Sequence, residues 1–575
     1  MLAVLAVFAL LVAACGDDGE TTDNETDGDS GADLDSDPGD GSDGEADGDA
    51  DGDPDVGLEP VMGGSITIGQ FSPPGSFDPT SSGSSNGTLG GSELRALYDT
   101  VVNWDPTVGE YELRTAESFE PNDDFTVWTL VLKDGISFTD GTPYDAEAVV
   151  YNVERHMAET SRSQSRATLL GFIESMDVVD PLTVEFSLTR PWAGFIYLFS
   201  IDVGMIASPT AIQAAGEDFG FSPGDAGAGP FVLADYRPGE SMTFARNDSY
   251  YGGDVYLDEL VFVPTPGGQE AAYESVRGGD LDGAYFRSAV AVSEAPGDGL
   301  SVHATSKPAG NVMDINAGVV VTCQDGAPAG CEDVADGESV RTSPPGADLR
   351  VRQAIAAAID ADQVNARAYD GLAAAGTALF QPGFPLSPEV PGPTYDPELA
   401  ASLVEEAKAD GWDGSIRLYS VSDEIGEALG LTIGAMLTAV GMDVEVDTSF
   451  TPPTLVEAVV FNRDYDLVIW GAPLGQNPAG NFVGLDSAYS AIAAERGFRG
   501  FSSEAMSEAI DALRLASTDD EITEAYRLVA EAWNAGVPAV ALNELQNALI
   551  TRSDLMGVEL TSNQAMLYDE AWLAG

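Results

Sequence analysis

The sequence is poor in basic residues, in cysteine and in histidine. Of its 575 residues only 24 are Lys or Arg, against 96 Asp or Glu, and the formal net charge is −72. Such a chain lacks the cations that neutralise phosphates, which argues against nucleic-acid binding and disfavours docking on anionic lipid. Two His and three Cys leave no room for a Cys/His zinc cluster. No glycine-rich loop ends in Gly-Lys-Ser/Thr, so a P-loop enzyme is excluded. We expect no metal and no cofactor.

The chain also lacks an apolar run long enough to span a bilayer. Residues 2–14 form an apolar run of 13, whereas a spanning helix needs about 20 residues. This length is typical of a signal-peptide core, although no Lys or Arg precedes the run. It ends in LVAACG at residues 11–16, which resembles the bacterial lipobox. We therefore predict a signal peptide over residues 1–15 and a lipid anchor on Cys15. The alternative is a buried apolar N-terminal helix.

The next segment contains almost nothing that a protein core could bury. Between Asp17 and Asp55 there are 18 acidic residues and no basic residue. Like charges repel one another, and a segment without apolar side chains gains nothing by folding. We predict that residues 16–57 are an acidic, disordered tether.

Beyond this tether, strand and helix patterns mix along the whole chain. Alternating or buried apolar runs predict strands at 64–69, 128–132, 180–188 and 465–470. Helical patterns cover residues 348–369, 398–410 and 425–440. A capping box at Thr518 and Glu521 begins a further helix, with a core-facing stripe of Ile522, Tyr526, Val529 and Trp533. This mixture predicts an α/β or α+β protein with more than one lobe.

Two cysteines remain after Cys15. Cys323 and Cys331 flank a loop rich in Gly, Pro and Asp. In an exported protein such a pair favours a short local disulfide. The alternative is two free buried thiols.

Catalytic patterns are weak. Residues 83–87 (GSSNG) fit G-x-S-x-G, but this pattern needs a preceding strand and a following helix. Here it lies in a Ser/Gly-rich loop, and the only histidines are His156 and His303. Carboxylate pairs of the kind that glycosidases use do not stand out among so many acids. We expect no enzyme activity; a surface-anchored hydrolase is the alternative.

Several blocks together resemble the family 5 extracytoplasmic solute-binding proteins, the oligopeptide, dipeptide and nickel receptors of ABC importers. They follow the family's order over roughly residues 62–575. The blocks are 97–106 (LYDTVVNWDP), 116–124 (AESFEPNDD), 128–135 (WTLVLKDG), 138–151 (FTDGTPYDAEAVVY), 227–231 (GAGPF), 246–253 (RNDSYYGG), 256–260 (YLDEL), 349–355 (LRVRQAI) and 358–360 (AID).

The resemblance implies an α/β, two-lobed clamshell of the periplasmic-binding-protein type, class II. Lobe I would comprise residues 62–310, with a small subdomain at about 107–205, and lobe II residues 311–539. Residues 540–575 would return to lobe I. A protein of this family captures a small solute and delivers it to an ABC permease and its ATPase subunits. It would lie outside the cytoplasm, lipid-anchored at the cell surface or in the periplasm.

The resemblance also indicates the ligand site. In peptide-binding relatives a W-x-A-D segment reaches the cleft, where its backbone pairs with the peptide and its Asp meets the ligand's ammonium. The matching residues here are Trp470, Gly471, Ala472 and Pro473, and proline carries neither charge nor an N–H donor. Backbone pairing near Gly471 is therefore the expected contact, with Trp470 lining the cleft; the alternative is a Trp470 that is simply core. Phe71 and Ser72, after the first strand, are further candidates.

A short peptide is the leading ligand under this interpretation. Nickel chelates, sugars and other small polar solutes are the remaining choices. Two alternatives differ in class: a hydrolase on the same scaffold, and a receptor that signals instead of feeding a transporter.

Overall fold

The computed structural model of the protein describes residues 59–70, 72–81, 83, 90–307, 309–323, 331, 334–543, 545–561 and 563–575. The predicted signal peptide with Cys15, the acidic segment 16–57, Phe71 and Ser85 lie outside the described residues. The strands are β1 Ser65–Gln70, β2 Val102–Asp105, β3 Glu110–Leu113, β4 Ala116–Pro121, β5 Val127–Leu132, β6 Ile173–Asp180, β7 Thr183–Leu188, β8 Phe231–Arg237, β9 Ser241–Arg246, β10 Glu259–Pro264, β11 Gly283–Phe286, β12 Leu300–Lys307, β13 Asn311–Ile315, β14 Val320–Thr322, β15 Ser339–Arg341, β16 Ser415–Val421, β17 Asp443–Phe450, β18 Leu467–Gly471, β19 Ala539–Ala541, β20 Leu545–Arg552, β21 Leu555–Met556, β22 Glu559–Leu560, β23 Met566–Leu567 and β24 Trp572–Leu573.

The α-helices alternate with these strands along the chain. They are α1 Gly91–Tyr98, α2 Ala146–Met157, α3 Arg166–Phe172, α4 Pro209–Ala215, α5 Gly268–Gly278, α6 Ala289–Glu294, α7 Leu349–Ala358, α8 Ala361–Ala368, α9 Pro397–Ala409, α10 Glu424–Ala439, α11 Pro452–Val456, α12 Pro478–Tyr489, α13 Ala491–Arg496, α14 Glu504–Leu515 and α15 Asp519–Gly536. Within the described part of the chain, no helix combines the length and the apolarity that crossing a membrane requires.

A seven-stranded mixed sheet forms one lobe, which we call lobe I. Its order is β12-β20-β11-β1-β10-β9-β8. The central strand β1 lies parallel to both β10 and β11, and its Ile66 and Ile68 are fully buried. Strand β20 comes from the end of the chain and pairs antiparallel with β11 and β12. The chain therefore enters this lobe twice.

A five-stranded mixed sheet forms the other lobe, lobe II, with the order β17-β16-β18-β13-β19. Strand β16 lies parallel to β17 and β18. Small and aliphatic side chains of α7, α9 and α10 build a core with this sheet. Since β19 still belongs to this sheet, the chain leaves lobe II after Ala541. One lobe on each sheet makes the two-lobed α/β fold that the sequence predicted.

A separate four-stranded antiparallel sheet, β4-β5-β7-β6, forms a subdomain between β1 and β8 in the sequence. Its core is aromatic: the rings of Phe119, Trp128, Phe186, Phe195 and Phe199 contact one another edge-on or tilted. This core continues into contacts with lobe II that bear on the site described below.

Local structure confirms some of the predicted elements and corrects others. The capping box of α15 is present, with Glu521 N donating to Thr518 Oγ1, and Tyr526, Val529 and Trp533 are buried. The single helix predicted over 348–369 is wrong, because Asp360 is extended and caps a second helix, accepting from Gln363 N.

The strand predicted over 180–188 is also shorter than expected. Asp180 ends β6, and its side chain accepts a hydrogen bond from Leu182 N at 2.9 Å. This turn at Pro181 separates β6 from β7, so that only 183–188 is the second strand.

A disulfide joins Cys323 and Cys331, whose Cα atoms lie 5.5 Å apart. It follows β14, which pairs with β15 in a two-stranded hairpin of lobe II. The disulfide thus closes a local loop on this hairpin.

Candidate functional site

Strands of both parallel sets, β11 in lobe I and β16 in lobe II, end at the interface between the lobes. In lobe I, β1 ends at Gln70 and β11 at Phe286, and in lobe II, β16 ends at Val421 and β18 at Gly471. Ligands of open α/β sheets bind at the carboxyl ends of parallel strands. Residues just beyond these ends are therefore the first candidates for a ligand site.

Two charged residues at these ends interact across the interface. Arg287 directly follows β11 and Asp423 lies two residues beyond β16. Burial lowers the pKa of Arg287, and attraction to Asp423 opposes this lowering. Asp423 also caps α10 by accepting from Gly426 N at 2.7 Å. The ends of the two sheets therefore face each other.

The chain crosses between the lobes twice, and the two crossings are hydrogen-bonded to each other. Gly310 N donates to Asn543 O at 2.7 Å, and Leu542 N donates to Asn311 O at 3.0 Å. Two adjacent crossings of this kind form a hinge about which lobes can open and close. Ala472 N donates to Gly310 O at 2.9 Å, so the predicted Trp470–Pro473 segment is attached directly to this hinge.

Trp470 lies near the end of β18 and is held in a fixed orientation. Its ring is half-buried, and its Nε1 donates to Asp314 Oδ2 at 2.7 Å. The ring packs edge-on against Phe498, with centroids 4.9 Å apart. Trp470 is thus neither a free surface side chain nor a fully buried core residue.

Asp314 is completely buried on β13 and holds several groups together. Arg499 Nη2 lies 2.7 Å from Asp314 Oδ2, and Tyr489 OH donates to Asp314 Oδ1 at 2.9 Å. Burial alone would lower the pKa of Arg499, but attraction to Asp314 and Tyr489 raises it above its usual range. This buried ion pair fixes the indole of Trp470 through the bond from Nε1 to Asp314.

The rest of the predicted segment presents backbone and no charge. Gly471 is exposed, and a Cβ built on it would meet no atom within 4 Å. Ala472 is buried and Pro473 is half-buried. The carbonyl of Pro473 packs so closely on Gly484 of α12 that any side chain at Gly484 would overlap it. This segment therefore offers space beside Gly471 but no carboxylate for a ligand ammonium.

The lobe I side of the interface carries charged residues that the sequence did not single out. Glu93 and Arg95 lie on α1, where all eight residues are buried. Gln70 Nε2 donates to Glu93 Oε1, and Arg95 Nη2 donates to the carbonyl of Ser200. Ser72, the other predicted residue here, is half-buried just beyond β1. Charged residues in a wholly buried helix mark a candidate functional position, but the sequence alone predicts that they lie on an exposed face.

Both charged residues of α1 have atoms without partners. Among the described residues, no group hydrogen-bonds to Glu93 Oε2 or to Arg95 Nε and Nη1. Burial raises the pKa of Glu93 to about 7, although the amide of Gln70 works against this. Burial also lowers the pKa of Arg95 to about 10, against the attraction of Asp99. The lobe I side of the interface, which we call the lobe I wall, is therefore electrostatically incomplete: atoms of its buried charged groups lack hydrogen-bond partners among the described residues.

The subdomain touches lobe II at a second place. Asn477 Nδ2 donates to Tyr111 OH at 2.9 Å, and Ala193 N donates to Arg514 O at 3.1 Å. Arg190 and Asp486 form an ion pair across the same contact at 3.9 Å. The lobes are thus in contact at both the hinge and the subdomain, as in a closed clamshell.

The two histidines considered for catalysis lie on different elements, α2 and β12. His156 is 1% exposed, and its Nδ1 lies 3.9 Å from Asp202. His303 lies on β12, with Nε2 3.2 Å from Thr551 Oγ1. Within the part of the chain that the structure describes, no three His, Cys, Asp or Glu side chains are grouped as a metal site would require.

Comparisons with known proteins agree with this architecture. Probable D,D-dipeptide-binding periplasmic protein DdpA of Escherichia coli K12 is 31% identical over 191 residues, 32% of this chain and 36% of that protein. Glutathione-binding protein GsiB of Salmonella paratyphi A is 28% identical over 180 residues, 31% of this chain and 34% of that protein. The match thus spans about a third of the length of these curated relatives.

A solved structure matches over nearly the whole described chain. The oligopeptide-binding protein AppA of Bacillus subtilis, in complex with a nonapeptide, superposes with a TM-score of 0.72 at 18% identity. The match covers 90% of this chain and all of AppA, which supports the fold. The family model described as bacterial extracellular solute-binding proteins, family 5 Middle, matches residues 110–491. Since this match covers more than half of the sequence, the chain belongs to the family 5 bacterial extracellular solute-binding proteins.

Proposed function

We propose that this protein is the solute receptor of an ABC importer. It captures a solute between its lobes and delivers it to a membrane permease and its ATPase subunits. The observation that carries this proposal is the pair of sheets whose parallel strands end face to face beside a two-crossing hinge. Ligand between two such lobes stabilises the closed form, and no bond is broken.

A short peptide is the proposed ligand. The names of DdpA and GsiB refer to a dipeptide and to glutathione, and AppA was solved with a nonapeptide. The open space beside Gly471 at the end of β18 suits a ligand that pairs through its backbone. Trp470, oriented by Asp314, would pack against such a ligand.

The proposed arrangement in the cell follows from the sequence. We infer that the signal peptide is cleaved immediately before Cys15, which becomes the mature N-terminus and carries the lipid, and that residues 16–57 hold the body away from the membrane. Lobe I would comprise 62–310 and 540–575, with its subdomain at about 107–205, and lobe II 311–539. The hydrogen-bonded crossings at Gly310 and Asn543 support this division.

The function is tested by thermal unfolding of the protein with pooled di- to octapeptides, sugars, polyamines and nickel–histidine. A ligand that binds only the folded state at about 100 times its dissociation constant adds about 2.7 kcal/mol to stability. We expect a rise in melting temperature with peptides alone. A rise only with sugars or nickel–histidine would contradict the peptide proposal, and no rise with any pool would contradict solute capture.

The anchor is tested separately by metabolic labelling with radioactive palmitate. We expect label in the wild-type protein and none in Cys15→Ser, with Cys323→Ser as the matched control that keeps the label. Equal labelling of wild type and Cys15→Ser would overturn the anchor without bearing on ligand capture.

A further inference from the structure

Arg95 is a buried cation whose charge the protein itself does not neutralise. The side chain is 2% exposed, and its one hydrogen bond among the described residues runs from Nη2 to the carbonyl of Ser200. Nε and Nη1 have no partner in the described chain. A buried donor without an acceptor, above all a charged one, destabilises a fold.

The acidic residue that attracts Arg95, Asp99, already accepts hydrogen bonds from other groups. Asp99 attracts Arg95 electrostatically, but its Oδ1 accepts from Arg114 Nε. Its Oδ2 accepts from Arg114 Nη2 and from the hydroxyls of Tyr250 and Tyr251. The carboxylate of Asp99 is thus saturated by donors other than Arg95.

The guanidinium nevertheless stays charged at neutral pH. Burial lowers the pKa of Arg95 only to about 10. A buried cation therefore remains with two of its nitrogens unpaired in the described chain. An anion brought from outside would remove this penalty, as it does in buried charge pairs with good hydrogen bonds.

Two tyrosines near Arg95 connect it with the interface between the lobes. It interacts electrostatically with Tyr285 on β11, two residues before the Arg287 that faces lobe II. It interacts likewise with Tyr197, whose ring lies so close to Gly480 of α12 in lobe II that a Cβ there would stand 2.9 Å away. One tyrosine thus separates Arg95 from the opposite lobe.

We propose that Arg95 binds a carboxylate of the ligand, so that this protein recognises the ligand's negative group on lobe I, whereas an Asp at position 473 would meet its ammonium. This inference rests on the proposed function, since it assigns the ligand a free carboxylate. The ligand class is then a short peptide with an ionised carboxylate, which is either its C-terminus or an acidic side chain.

The test compares libraries that differ in one group. The wild-type protein is titrated calorimetrically with a tripeptide library that has free C-termini, and with the same library as C-terminal amides. A third library of amides carries Glu at one position. We expect amidation to weaken binding by about thirtyfold or more, the loss typical of removing one partner of a buried charge pair. Recovery with the Glu-containing amides would identify a side-chain carboxylate as the source.

Arg95→Met provides the second arm, with the exposed Arg237→Met as its matched control. We expect Arg95→Met to bind free acids and amides equally, and Arg237→Met to keep the wild-type preference. We also expect Arg95→Met to raise the melting temperature of the ligand-free protein, because an unpaired buried charge is removed. A purely structural Arg95 would instead lower it.

Each outcome decides a different question. If the wild type binds acids and amides equally, the inference is overturned while the proposed function stands, whether or not the variant folds. Discrimination that persists in Arg95→Met would overturn it as well. If the wild type binds no tripeptide of any library and no peptide of the pooled screen, the proposed peptide receptor fails, and the inference fails with it.

Discussion

The two walls of the cleft are built on opposite electrostatic principles. On lobe II, the buried Asp314 is held by Arg499, Tyr489 and Trp470 at 2.7–2.9 Å. On lobe I, Glu93 and Arg95 are equally buried, yet each has polar atoms without a partner in the described chain. A satisfied network fixes geometry, whereas an unsatisfied one leaves free energy that a ligand can release. The comparison suggests that lobe II orients the ligand and lobe I recognises its charge.

Among the variants considered, Asp314→Ala should have the largest effect on stability, because it removes the centre of the hydrogen-bonded network on lobe II. It leaves Arg499 buried without its counter-ion, which typically destabilises a protein by about 3–5 kcal/mol. We expect this loss in urea unfolding of the ligand-free protein. The double variant Asp314→Ala/Arg499→Met removes both charges and should recover much of it. A loss below about 1 kcal/mol, the value of an exposed ion pair, would show that the network is not buried in solution.

The buried charged residues of lobe I are tested through the pH dependence of stability, to which Glu93 contributes. The folded state raises the pKa of Glu93 from 4.5 to about 7, so folded protein binds the proton more tightly than unfolded protein. Stability therefore falls as pH rises from about 4.5 to 7, and the full penalty, about 3 kcal/mol, remains above pH 7. Around Glu93, Gln70 does not titrate, and burial keeps Tyr285 and Tyr568 protonated in this range.

Glu93→Gln should therefore be less sensitive to pH than the wild type. Between pH 5 and pH 8 we expect the free energy of unfolding in urea to fall by about 2.5 kcal/mol less in Glu93→Gln than in the wild type. The exposed Glu508→Gln, on α14, is the matched control and should follow the wild type. Parallel pH curves for Glu93→Gln and wild type would mean that Glu93 is solvated and that lobe I is not electrostatically incomplete.

The same contrast explains what could be predicted from the sequence. Local signals succeeded: the capping box at Thr518 and the apolar stripe of α15 depend on neighbours a few residues away. They failed at Asp360, where a single cap outweighs the helical propensity of an Ala-rich segment. The two-lobed fold was predicted through the combined family blocks rather than through any single pattern.

The site could be predicted only where a motif marks it. Trp470 was singled out because it begins a recognisable segment, and this segment is hydrogen-bonded to the hinge through Ala472. Its partner Asp314 lies 156 residues away in sequence, and no local pattern connects the two. Arg95 looks like the charged face of an amphipathic helix, and only tertiary packing, which buries every face of α1, reveals it as unusual.

Trp470→Phe tests how much the orientation by lobe II is worth. The variant keeps an aromatic ring but removes the Nε1 donor to Asp314, which still has Arg499 and Tyr489 as partners. Since the carboxylate stays partly satisfied, we expect a loss of about 1–2 kcal/mol in urea unfolding. The exposed Phe461→Leu serves as the control for an aromatic residue outside the site. A loss as large as that of Asp314→Ala would show that the main role of Trp470 is to stabilise the fold rather than to contact the ligand.

Pro473→Asp restores the acid found at this position in peptide-binding relatives, and it should have the smallest effect. Position 473 is half-buried, and an ion pair with partial solvent access contributes about 0–1 kcal/mol. Since such a pair with the ligand's ammonium contributes so little, peptide affinity measured by calorimetry should improve by no more than about fivefold. An improvement of about a hundredfold, lost again when the peptide's amino terminus is acetylated, would return charge recognition to lobe II. The assignment of ligand orientation to lobe II and charge recognition to lobe I would then be wrong, because lobe II would be the lobe that lacks a charged partner for the ligand.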